Sequence, residues 1–257
     1  MSTMTAPKIL YYDIETAPNL SYVWGQHEQN VIEHEREWYM LCFAYRWEHQ
    51  KKTQVVALPD FADTYKKDPE DDMQVVLSLW GLLNEADVVV AHNGDRFDLR
   101  KANARFVAHG LGPVSPVRQI DTLKVARKYF MFNSNKLDHL GQHLGLGRKV
   151  NTGGFETWAG CMRGDMKMWK LMTKYAKQDV DLLRSVYFEL RPWMTDHPNF
   201  NVYNGGSSCP TCGSDNIEPS GYKYTQVATY QQWLCADCGA WSKSRLAESV
   251  EAPEITP

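Results

Sequence analysis

Four cysteines near the C-terminus constrain this chain most tightly. They form two C-x-x-C pairs, Cys209–Cys212 and Cys235–Cys238, and each pair is followed directly by a glycine, Gly213 or Gly239. Four thiolates in two such knuckles converge on one tetrahedral site, a strong signal for zinc. Each trailing glycine lets the backbone turn its amides toward sulfur. The 22 residues between Cys212 and Cys235 are enough for a β-hairpin. The expected product is a small zinc ribbon over 205–248, with Cys209, Cys212, Cys235 and Cys238 binding one structural Zn2+. Four protein ligands close such a site, so no catalytic position stays open. Cys42 and Cys161 stand alone. The opening MSTMTAPK lacks the apolar stretch of a secretory signal, and no apolar run approaches the roughly 20 residues that span a bilayer. A cytoplasmic location without a membrane partner is therefore expected.

The residues before the ribbon suffice for one sizeable core. The chain is 43% hydrophobic and 23% charged, ordinary for a globular protein. Its net charge of −3 lacks the basic excess of proteins that coat duplex DNA, so any nucleic acid would meet a local site. KILYYDI (8–14) reads as a buried strand running into acids. Two more strands follow at 39–47 and 53–58, with Lys51 and Lys52 in the turn. Val75, Val76, Leu79 and Leu82 carry helical spacing over 71–85. DVVVAHN (87–93) is a short apolar strand with a polar exit. A helix over 97–109 ends at Gly110, a short strand spans 117–120, and further helices cover 121–130, 136–144 and 165–191. Strands first, then strands alternating with helices, predict an α/β layered domain with a mixed sheet. HPNFNVYNGGSS (197–208) has linker composition. The expected division is a catalytic domain at 1–196, a linker at 197–204, the ribbon at 205–248 and a disordered tail at 249–257.

Three separated segments carry acids where chemistry could use them. Asp13 and Glu15 sit two apart at a strand end, so both project from one face. Paired carboxylates repel unless a cation lies between them. Asp98 opens the helix after HNGDRF, with Asp95 as the expected N-cap. Tyr175 and Asp179, four apart on a late helix, share a face, and Asp181 points away. Taken singly, each segment has an ordinary reading: a solvated strand end, a helix-dipole partner, an amphipathic surface.

Taken together and in this order, DIET, NGDRFD and YAKQD resemble the three motifs of the DEDD (DnaQ-like) 3′→5′ exonuclease superfamily. Tyr175 places the chain with the tyrosine subclass, since Lys174 stands where the histidine form needs its histidine. DIETAPNLSYVWG, IDTLKVARKYF and SNKLDHLGQHLGLGRKVNTGGFE extend the likeness to a phage-type group that ends in a zinc ribbon. The resemblance implies a ribonuclease H-like fold and hydrolysis of DNA phosphodiester bonds at single-stranded or frayed 3′ ends. It implies catalytic Asp13, Glu15, Asp98, Tyr175 and Asp179, with the four carboxylates holding two Mg2+ or Mn2+. Two such ions together activate water, relieve phosphate charge and stabilise the leaving oxygen. Asp13 would bridge the ions, Glu15 and Asp179 would complete the site of the attacking water, Asp98 would support the second ion, and Tyr175 would orient the water. The location becomes the host cytoplasm if the chain is phage-encoded.

Candidate substrate contacts are Thr16, Asn93, Arg96, Lys136 and Lys149, with Arg100, Lys101 and Arg105 as further cations on or beside the helix of Asp98. A solvated helix face is the ordinary reading of those cations. LGLG before GRK lacks the order of a phosphate-binding P-loop. His139 and His143, four apart, read as a polar helix face, since no third ligand accompanies them. In the ribbon, Tyr222, Tyr224, Tyr230, Trp233 and Trp241 interleave with Lys223, Lys243 and Arg245. Such a mixture suits stacking of single-stranded bases, the core of a tiny domain, or docking of a replication protein. An exoribonuclease, and an inactive nucleic-acid-binding module acting through the ribbon, remain alternatives at this level.

Overall fold

The apolar run Ile9–Tyr12 is buried on both faces and starts β1 (Ile9–Thr16), the middle strand of a five-stranded mixed sheet. The computed structural model describes residues 6–27 and 30–248. After β1 the chain forms an exposed ribbon of β2 (Leu20–Tyr22) and β3 (Glu33–Arg36), which sequence spacing did not foreshadow. It then returns as β4 (Met40–Trp47) and β5 (Gln54–Ala57). α1 (Ala62–Lys67) and α2 (Met73–Glu85) lead into β6 (Val88–Ala91), α3 (Asp98–Ala108) and β7 (Arg118–Asp121). α4 (Thr122–Tyr129), α5 (Leu137–His143), α6 (Phe155–Met162) and α7 (Met166–Leu190) follow. The sheet order is β5-β4-β1-β6-β7. β1, β6 and β7 run parallel, while β4 and β5 are antiparallel to their neighbours. This is the mixed sheet flanked by helices that the sequence implied.

A central strand shielded on both faces reads as a continuous apolar run, and β1, β4 and β6 do so. α2 packs on β4 and α3, burying Val75, Val76, Leu79 and Leu83; Leu82, expected on that face, is half-buried beside it. Asp72 fastens this layer. It is fully buried and accepts the Met40 N–H at 2.7 Å, the Arg105 Nε at 2.7 Å and the Arg105 Nη2 at 2.5 Å, with His109 Nε2 at 2.6 Å. Arg105 is thereby committed to the core, which corrects its reading as a phosphate contact.

The chain divides into two compact units, one covering Lys8–Tyr187 and the other beginning at Phe188. In the second unit, the segment expected to be a linker carries a short helix, α8 (Asn201–Asn204), and Phe200 N–H donates to Pro210 O at 2.8 Å. β8 (Ile217–Tyr224) and β9 (Thr229–Cys235) form the expected hairpin, and β10 (Trp241–Lys243) joins it as a third strand. The buried centre consists of Cys209, Cys235 and Ala240, with Cys212, Ile217 and Cys238 packed around it. The cysteines themselves are thus the core. Tyr222, Tyr224 and Trp241 are exposed, and Tyr230 and Trp233 are half-buried. The tail expected at 249–257 lies outside the described residues. Among the described residues, no helix is long and apolar enough to cross a membrane.

Candidate active site

The parallel strands β1, β6 and β7 all end on one edge of the sheet, and each delivers an acid or leads to one. β1 runs past the expected boundary to Thr16, so Asp13 and Glu15 are held by the ladder itself, opposite Ala44 and Cys42. The register shifts between Glu15 and Thr16, where the strand leaves the sheet. β6 exits into His92-Asn93-Gly94. Asn93 adopts a left-handed φ of 70°. A Cβ on Gly94 would lie 2.5 Å from that of Ala91, so only glycine fits this turn. The turn feeds α3, whose first residue is Asp98 and whose N-cap is Phe97. Asp95, expected as the cap, instead pairs with Lys124. β7 ends at Asp121, which sequence reading passed over. Its Oδ1 caps α4 through Leu123 N–H at 3.0 Å and fixes the left-handed turn through Asn93 N–H at 2.9 Å. Asp179 arrives from α7.

Asp13, Glu15 and Asp179 each offer a carboxylate oxygen, and these three oxygens lie within 4.8 Å of one another. Asp98 joins them from the side. It is 1% exposed, and its Oδ1 accepts the N–H of Ile14, the residue between the two strand acids, at 3.0 Å. Crowding and burial work against ionisation throughout. Burial, then the charges of Asp98, Glu15 and Asp179, push Asp13 well above the carboxylate range. Burial and then Asp179 push Glu15 up to about 8. Burial pushes Asp98 up to about 7, against the Ile14 hydrogen bond, and raises Asp179 as well. A divalent cation reverses that electrostatic logic. The donor set is all hard oxygen, which suits Mg2+ or Mn2+. Asp179 Oδ1 is buried with no hydrogen-bond partner, an acceptor that a cation would satisfy.

Tyr175 stands one helical turn before Asp179, and both accept from Lys149 Nζ. Burial and the nearby acids drive its hydroxyl far above its ordinary value, so it keeps its proton. Lys149 is the cation of the site. Its Nζ donates to Asp179 Oδ2 at 2.5 Å and to Tyr175 Oη at 3.1 Å. Asp138 of α5 accepts the Lys149 N–H at 2.7 Å, and Gln178 of α7 donates to Arg148 O, so two helices hold its loop. Sequence reading offered Lys149 only as a candidate substrate contact; nothing in it signalled the contact with Asp179.

Two clefts flank the acids. One, of about 440 Å3, is lined by Thr16, Asn19, Trp38, Lys101, Phe155 and Trp158, among others. Lys101 Nζ sits 3.7 Å from the centre of the Trp38 ring. The other, of about 570 Å3, gathers Asn93, Arg127, Lys136 and Lys149. Of the predicted substrate contacts, Thr16 therefore lies in the aromatic cleft, and Asn93, Lys136 and Lys149 in the basic one. Arg96 is exposed on the turn before α3, and Arg100 lines a separate depression with Asp95 and Arg118. His92 is structural: its ring nitrogens bind Thr122 Oγ1 at 2.8 Å and Asn135 O at 3.0 Å, and burial lowers its pKa to about 4. His139 and His143 stack on each other along α5, as a polar helix face would. Among the described residues no third ligand joins them.

The four ribbon cysteines form a second cluster within 4.8 Å. The Cys209–Cys238 and Cys212–Cys235 sulfurs are each 3.7 Å apart. A tetrahedron with metal–sulfur bonds of about 2.3 Å has edges of about 3.8 Å. Backbone N–H groups of Ser214 and Ala240 donate to the Cys212 and Cys238 sulfurs, as the knuckle glycines allow. The geometry fits a single tetrahedral metal.

A mixed sheet with carboxylates gathered at the carboxyl ends of its parallel strands defines an α/β protein whose acid cluster is compatible with divalent cations at that edge. The family model RNase_H_2, of the RNase H superfamily, matches residues 10–191, and the chain belongs to that superfamily. No curated protein matches the sequence. Among solved structures, the family B DNA polymerase of the hyperthermophilic archaeon Pyrobaculum calidifontis superposes with a TM-score of 0.55 at 13% identity. The match covers 89% of this chain and 32% of the polymerase, so the chain spans about a third of that protein's length. At that identity the likeness is one of fold.

Proposed function

We propose that this chain is a divalent-metal-dependent 3′→5′ exonuclease that hydrolyses DNA at single-stranded or frayed 3′ ends. The observation that carries the reading is the trio Asp13, Glu15 and Asp179, drawn together at the sheet edge with Asp98 beside it. Those four carboxylates would hold two Mg2+ or Mn2+, which supply water activation and charge relief on the phosphate when bound. The rest falls to the chain's own groups. Tyr175 keeps its proton and orients the attacking water by hydrogen bonding, because so raised a hydroxyl is no base near neutral pH. Lys149 brings a positive charge to the Asp179 side of the site and faces the basic cleft, where strand phosphates would run. The aromatic cleft beside Thr16 takes the terminal base. The ribbon holds one structural Zn2+ through Cys209, Cys212, Cys235 and Cys238, and offers its exposed aromatics to nucleic acid or a replication protein.

Strand polarity and sugar preference are tested together. Single-stranded DNA and RNA labelled at the 5′ end are incubated with protein and Mn2+. A DNA ladder that shortens progressively from the 3′ end supports the reading. Immediate release of labelled mononucleotide would reverse the polarity, and RNA-only cleavage would make the chain an exoribonuclease.

A further inference from the structure

A bulge in the ribbon hairpin decides which aromatics share a face. Near the zinc knuckles, β8 and β9 pair with Pro219 opposite Trp233. The register then shifts, so that Tyr222 lies opposite Gln231, Lys223 opposite Tyr230 and Tyr224 opposite Thr229. A one-residue slip turns every later side chain to the other face of the sheet. Gly221 sits in the bulge at a left-handed φ of 73°, and Gln231 Nε2 donates to its carbonyl at 3.0 Å. Without the slip, Tyr222 would oppose Tyr230, and Lys223 would join the face of Trp233. With it, Tyr222, Tyr224 and Trp233 stand on one face. Tyr222 is 44% exposed and Tyr224 71%.

The surroundings of that face suit an anion. From Pro219 to Cys235 and from Gly239 to Leu246 the ribbon carries three cations, Lys223, Lys243 and Arg245, and no acid, in a chain of net charge −3. Trp233 Nε1 donates to Ser244 Oγ at 3.1 Å, and the indole lines a groove of about 650 Å3. Lys243 and Arg245 line the same groove with Asn199 and Asn201, and no acid does. Lys243 Nζ rests 3.7 Å from the centre of the Tyr230 ring, so Arg245 is the cation to probe. Side chains two apart on a strand stand about 7 Å apart, about twice the step between stacked duplex bases. Each ring therefore takes a base that has left its stack, and a duplex cannot serve two rings at once.

Resting on the nuclease reading above for its choice of DNA, we infer that this face of the ribbon is a second binding site for an unpaired strand. Tyr222, Tyr224 and Trp233 stack successive bases, and Arg245 meets the phosphates. The face uses none of the acid-site residues, so it retains the strand and takes no part in cleavage.

The test measures fluorescence anisotropy on the full chain carrying Asp13→Asn, with a labelled single strand and with a duplex of the same length. Stacking on one ring corresponds to about fivefold or more in affinity. Tyr222→Ala with Tyr224→Ala should therefore weaken single-strand binding by about thirtyfold and duplex binding little. Y222F with Y224F keeps both rings and should bind like the parent. R245Q should flatten the fall of log affinity with log salt by about 0.7. Metal analysis checks that each variant keeps its zinc, and Y224A alone carries the comparison should the double variant lose it. Parent affinity in a zinc-loaded Y222A/Y224A would overturn the inference and leave the face to a protein partner. An equal loss on duplex would also overturn it, and neither result touches the nuclease reading. A wild type that fails to cut DNA in Mn2+, with these affinity changes intact, would overturn the nuclease reading alone.

Discussion

Glu15→Gln in chelating buffer should make the protein more stable at pH 8 and leave it unchanged near pH 4.5. The sign follows from Glu15's folded-state pKa, about 8 against an ordinary value of 4.5. Below 4.5 the carboxyl is protonated folded or unfolded and contributes no difference. Between 4.5 and 8 the unfolded chain releases a proton that the folded chain keeps, so stability falls as pH rises. Each unit of displacement is worth about 1.4 kcal/mol, which makes the full penalty at pH 8 about 5 kcal/mol. Asp98, pushed up to about 7, acts in the same direction over a lower window and persists in the variant. The difference between wild type and variant therefore reports Glu15 together with the relief that its loss gives Asp13, both in the same direction. At about 2–4 °C per kcal/mol for a chain of this size, it should appear as a gap on the order of 10 °C in thermal melts at pH 8, closing toward pH 4.5. Adding Mn2+ should stabilise the wild type by mass action and the variant much less. A gap independent of pH, or a wild type that gains stability between pH 5 and 8 relative to E15Q, would refute the electrostatic account of the site.

Two further outcomes follow from the rest of the molecule. Cys209→Ser should release about one zinc per chain on metal analysis and melt the ribbon, while the unit from Lys8 to Tyr187 keeps its circular dichroism and melting; loss of both would contradict the division into two units. Asp72→Asn leaves Arg105 and His109 without their buried anion and should cost about 3–5 kcal/mol in chemical denaturation, with kcat preserved, whereas a loss of kcat at full stability would put Arg105 back in the substrate path.

The acids were legible because their spacing is a property of strands and helices that the sequence also states. Asp13 and Glu15 share a face through the two-residue repeat, and Tyr175 and Asp179 through the four-residue one. The cysteines were legible because knuckle spacing alone defines a tetrahedron. What escaped reading depends on contacts across long stretches of chain. Lys149 reaches Asp179 only because Asp138 and Gln178 hold its loop, and no local pattern encodes that meeting. Trp158 lies on α6, a short helix after two glycines, where composition signals a loop. Asp121 looks like any helix cap until its hold on Asn93 is seen. Arg105 was misread because an arginine on an exposed-looking helix face gives no sign of a fully buried Asp72 opposite it. Asp95 was misread because the tight turn through Asn93 and Gly94 delays the helix to Asp98, leaving Asp95 to pair with Lys124.

The central claim is that the carboxylates at the sheet edge form a divalent-metal nuclease centre. The most direct measurement is cleavage of single-stranded DNA by wild type and Asp13→Asn, purified in parallel, with Mn2+ or with EDTA. The account predicts cleavage by the wild type with Mn2+ and none in the other three reactions. Cleavage that survives EDTA, or that Asp13→Asn retains, would contradict it.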